Sequence, residues 1–137
     1  ALYTYLKRTT PYPSMTTFDA GSGEVCQIRR IRTNTPLQAL VTLNDPVYLE
    51  AAGGLARRML EDPADPVTRG IRLTLTRPAR PEEIEPLRRL QQDIAAELRS
   101  DPARAGQLIA VTRTTPPAGV EAADYAGWIV VANTLLN

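Results

Sequence analysis

The stretch PEEIEPLRRLQQDIAAELR, residues 81–99, places Ile84, Leu87, Leu90, Ile94 and Leu98 at intervals of three or four. That period gathers the apolar side chains on one face of an α-helix and leaves Glu, Arg and Asp on the other, the pattern of a helix laid against a core. Glu82 and Glu83 suit the positive end of the helix dipole. Pro86 removes one backbone bond near the start and would also fit a later beginning.

The same grammar repeats on both sides. Asp45-Pro46, Asp65-Pro66 and Asp101-Pro102 each set a capping carboxylate before a proline at the first helical position, where a missing N–H costs nothing. They predict helices from Pro46 to about Leu60, from Pro66 to a stop before Pro78, and from Pro102 through Val111. Thr35-Pro36-Leu37-Gln38 has the order of a capping box and predicts a short helix ending near Asn44. Residues 121–137 add a broad apolar face built from Tyr125, Trp128, Ile129, Ala132, Leu135 and Leu136. Gly53 and Gly54 fall inside a predicted helix, where each costs about 1 kcal/mol relative to Ala; close approach of a neighbour or a local break would account for them.

The expected fold is therefore all-α, an irregular bundle of about five or six helices in a single domain. Residues 35–137 form the bundle and residues 1–34 a loop-rich arm. Within the arm, PYPSMTTFDAGSG at 11–23 reads as loop, and EVCQIRRIR at 24–32 fits either a helical turn or an extended path. Leu2, Tyr3 and Leu6 read as the end of a helix whose start is missing, and the last apolar face runs to the terminus without a stop signal. The chain is expected to be a fragment.

Composition removes several function classes. The chain has 137 residues, 43% of them hydrophobic, with 16 cationic and 15 acidic side chains interspersed. That balance supports a folded core and supplies no broad field for nucleic acid or anionic lipid. Histidine is absent and Cys26 is the single cysteine, so neither a Ser-His or Cys-His dyad nor an internal disulfide can form. No apolar run reaches membrane-spanning length, and the first ten residues lack the pattern of a secretory signal.

Against that plain background, residues 27–46 are dense: QIRRIRTNTPLQALVTLNDP carries three arginines, two asparagines and an apolar stripe. Arg29, Arg30 and Arg32, with Asp19 and Glu24, allow two readings. Guanidinium forks could hold a carboxylate, sulfate or phosphate, or they could pair with Asp19, Glu24 and helix carbonyls and pin the arm to the bundle. Asn34, Asn44 and Asp45 could form a polar pocket between consecutive helix starts, or cap and turn the chain. The structural alternative is preferred in both cases: arginine pairs readily with carboxylates within folds, and Asn34, Asn44 and Asp45 each lie next to an expected helix boundary. Cys26 is read as a small buried side chain rather than a nucleophile, and Tyr125 and Trp128 as packing residues. DAGSGE at 19–24 lacks the oxygen pattern of a calcium loop, so no metal site and no catalytic residue are assigned.

These segments carry a family resemblance. Ser14, Met15, Phe18 and Asp19, then Val25 and Cys26, then Arg30, Arg32 and Thr33 through Leu40, then Leu43 to Pro46, are similar to the signature of the planctomycete cytochrome c-associated domain of unknown function, in its C-terminal part. WIVVANTLLN at 128–137 extends the likeness to the chain's end. The resemblance implies a structural or interaction module of a large exported or periplasmic bacterial protein, following another domain of the same chain and often accompanied by a c-type haem domain. Haem would lie elsewhere in that parent protein, since no Cys-x-x-Cys-His occurs here. The alternative is part of an enzyme or binding domain acting on polysaccharide or sulfated sugar, with Asp19 or Glu24 as acid or base and the arginines holding anionic groups. The loop AGSG at 20–23 stands where the family more often has charged residues.

Overall fold

The computed structural model describes residues 5, 7, 9–21, 28–29, 33–62 and 64–137. Among these the chain forms seven helices and no strand: α1 (Pro13–Thr17), α2 (Pro36–Asn44), α3 (Pro46–Met59), α4 (Pro66–Leu75), α5 (Pro81–Ser100), α6 (Pro102–Thr112) and α7 (Ala122–Leu136). The fold is all-α. It divides into two compact units, Ala1–Val41 and Thr42–Asn137.

In the second unit the helix starts follow from local chemistry. The carboxylate of Asp45 accepts from the Val47 N–H at 2.9 Å, that of Asp65 from Thr68 at 3.3 Å, and that of Asp101 from Arg104 at 3.1 Å. Each caps a helix whose next residue is proline. Helix α5 begins at Pro81, so Pro86 sits inside it rather than at its start. The Glu83 carboxylate reaches back to accept from the Arg80 N–H at 3.0 Å, and Arg77 grips the same carboxylate with two guanidinium nitrogens, at 2.8 and 2.5 Å. Helices α4 and α6 end on Thr76 and Arg113, both in the left-handed conformation that closes a helix C-terminus.

Helix α7 organises this unit, packing against α3, α4, α5 and α6. Its buried residues, Ala123, Tyr125, Ala126, Gly127, Ile129, Val131, Ala132 and Asn133, surround the helix instead of forming one stripe. A helix apolar on all sides belongs in the interior. Met59, Leu55 and Ala56 from α3, Leu98 from α5 and Ile109 from α6 close around it, and Trp128 packs half-buried at the margin.

The two glycines of α3 differ. The helix passes through both without a break, but a Cβ on Gly53 would lie 2.7 Å from Thr112 Cβ and 2.8 Å from Thr114 Oγ1, whereas one on Gly54 would meet nothing within 4 Å. Gly53 is the point of close approach. Beside it runs a partly buried hydroxyl chain: Thr112 Oγ1 donates to the Ile109 carbonyl at 2.7 Å, Tyr125 Oη donates to the Gly53 carbonyl at 3.1 Å, and Thr114 Oγ1 lies 2.7 Å from each of those two hydroxyls, with one proton to give to either. This chain ties the end of α6 and the start of α7 to the middle of α3.

The first unit is built differently. Its short helix α1 occupies sequence expected to be loop, started by Pro13 and extended by Thr16 and Thr17, whose hydroxyls bond the Pro13 carbonyl at 2.7 and 3.0 Å. Among its described residues Gln38 is the buried one, while Leu37 and Leu40 remain 57% and 56% exposed. Polar contacts, not an apolar core, hold its described parts together.

Candidate functional site

The polar centre of the first unit starts at the end of α1. The Ala20 N–H bonds the Met15 carbonyl at 2.8 Å and the Asp19 N–H bonds the Thr16 carbonyl at 3.3 Å, a paired closure that needs a left-handed residue at Asp19. Asp19 supplies it, with φ of 56°. Glycine is the usual occupant, but Asp tolerates this conformation and brings a carboxylate to a fixed place.

One oxygen of that carboxylate is engaged three times. Asp19 Oδ2 accepts from the Thr33 N–H at 2.8 Å, from Thr33 Oγ1 at 2.7 Å and, more weakly, from Gln38 Nε2 at 3.5 Å. Thr33's hydroxyl and N–H hold its pKa below the ordinary aspartate range, with Gln38 adding to the effect and burial opposing it.

Gln38 is the junction. Its Oε1 accepts from the Thr35 N–H at 3.1 Å while Thr35 Oγ1 accepts from the Gln38 N–H at 3.3 Å, the reciprocal capping box expected from the sequence. Its Nε2 donates to the Thr17 carbonyl at 2.9 Å and to Thr33 Oγ1 at 2.9 Å. Flipping the amide would set NH2 against the Thr35 N–H and oxygen against the Thr17 carbonyl, so the network fixes its orientation. One side chain therefore joins the end of α1, the segment before α2 and the start of α2.

Asp19 is thus brought together with Thr33 and Gln38, neither of which was singled out as its partner from the sequence. Arg29 is exposed and Asn34 is exposed beside Thr33. Glu24, Cys26, Arg30 and Arg32 lie outside the described residues. In the second unit Asn44 is the exposed last residue of α2, and Asp45 is the cap of α3. The capping signal was legible for Asp45. Thr33 carried none, because its partner is 14 residues away.

The second unit also has an apolar groove of about 330 Å³ lined by Ile94, Leu98, Leu108, Val111 and Val130, with the Glu97–Arg104 ion pair, 2.5 Å long, among its lining residues. Among the described residues no three acidic or cysteine side chains gather as a metal would require, and no helix is long and apolar enough to cross a membrane. Linked by its own hydrogen bonds, the Asp19–Thr33–Gln38 cluster is chemically a clasp: Asp19 Oδ2 and Gln38 Oε1 accept from protein donors, and the Thr33 and Gln38 donors point at protein atoms.

No curated protein and no solved structure matches the chain. The PSD1 family profile, described as a protein of unknown function (DUF1553), matches residues 1–91, which include Asp19, Thr33, Gln38 and Asp45. With that match spanning the clasp and the greater part of the sequence, the chain belongs to this family, the planctomycete cytochrome c-associated domain of unknown function.

Proposed function

We propose that the chain is a structural or interaction module whose dense polar segment works as an internal clasp and performs no chemistry. The observation that carries this reading is Gln38, 8% exposed, whose Oε1 is engaged by the Thr35 N–H and whose Nε2 is engaged by the Thr17 carbonyl and by Thr33 Oγ1, the hydroxyl that also bonds Asp19. A catalytic acid or base needs an available proton-transfer path to substrate. Asp19, the described member of the proposed acid–base pair, instead holds Thr33 in place. Family likeness supports a wider setting in which the module sits in an exported bacterial protein beside another domain of the same chain and a c-type haem domain.

The test compares Asp19→Ala with the unchanged protein in thermal unfolding and in binding to sulfated and neutral oligosaccharides. A clear fall in Tm with no saccharide binding by either protein is the expected result. Saccharide binding that vanishes in the variant at unchanged Tm would replace the clasp with a ligand site.

A further inference from the structure

We draw no further inference here: the strongest candidate, the apolar groove between α5 and α6 floored by Leu98 and Val130, is an unpartnered face and nothing in the structure shows what covers it.

Discussion

At the scale of single residues, Gln38 and Asp19 make separable claims. Gln38→Ala removes the junction and leaves the Thr17 carbonyl and the Thr35 N–H without their partner. Both groups are half-buried, so water can partly replace the lost bonds; the cost is about 1 kcal/mol, towards the low end for an abandoned polar group, and chemical denaturation should show a loss of that order. Gln38→Glu is the sharper variant: it can still accept from Thr35 but cannot donate to Thr17, and it sets a second carboxylate near Asp19. Its stability should improve as acid protonates the new carboxyl, the reverse of the unchanged protein. Asp19 titrates low because it accepts from Thr33. A carboxyl depressed by folding contributes stability above its unfolded pKa and loses it as pH falls through the lower folded value. Thr33→Val removes the hydroxyl donor, and the Asp19 carboxyl resonance should then titrate at higher pH; an unmoved midpoint would mean that Thr33 does not set it.

Among the helices, the adjacent glycines of α3 give opposite expectations from the same substitution. Gly54→Ala places a methyl in open space and gains up to about 1 kcal/mol of helix propensity. Gly53→Ala gains the same propensity but drives the methyl against Thr112 and Thr114, and overpacking of that kind costs about 1–3 kcal/mol. Thermal melts of the two variants should move in opposite directions. Helix α5 adds a pH-dependent contribution: Arg77, with help from the Arg80 N–H, pulls the Glu83 carboxyl down to about 2. The benefit is complete above the ordinary glutamate range and disappears as pH falls towards about 2. Glu83→Gln should flatten that part of the stability curve. Much of this level was legible in the sequence. Asp-Pro and Thr-Pro-x-Gln signals are local, and every helix they announced is present. Helix α1 was not legible, since five residues inside a Pro-, Ser- and Thr-rich segment show no period. Of Gln38's contacts the capping half, three residues away, could be read; the half reaching Thr17, 21 residues away, depends on the left-handed turn at Asp19.

For the molecule as a whole, the boundary of the family match and the boundary of the packing disagree, and that disagreement can be tested. Residues 1–91 contain α1 to α4 and only the first half of α5, while α7, against which α3, α4, α5 and α6 all pack, lies outside. The sequence suggested a broad apolar face at 121–137; it did not reveal a central helix, because a segment apolar all round gives no stripe to orient it. Without α7, Met59, Leu55 and Ala56 lose Tyr125, Ile129 and Ala132, and the remaining helices keep their caps but not their core. A fragment of residues 1–91 should therefore show helical far-ultraviolet dichroism, bind a hydrophobic dye and melt without a cooperative transition. The fragment 42–137 contains the entire second unit and should melt cooperatively. Cooperative unfolding of the first fragment would remove α7 from its organising position, and failure of the second would mean that this unit depends on residues outside it for its stability.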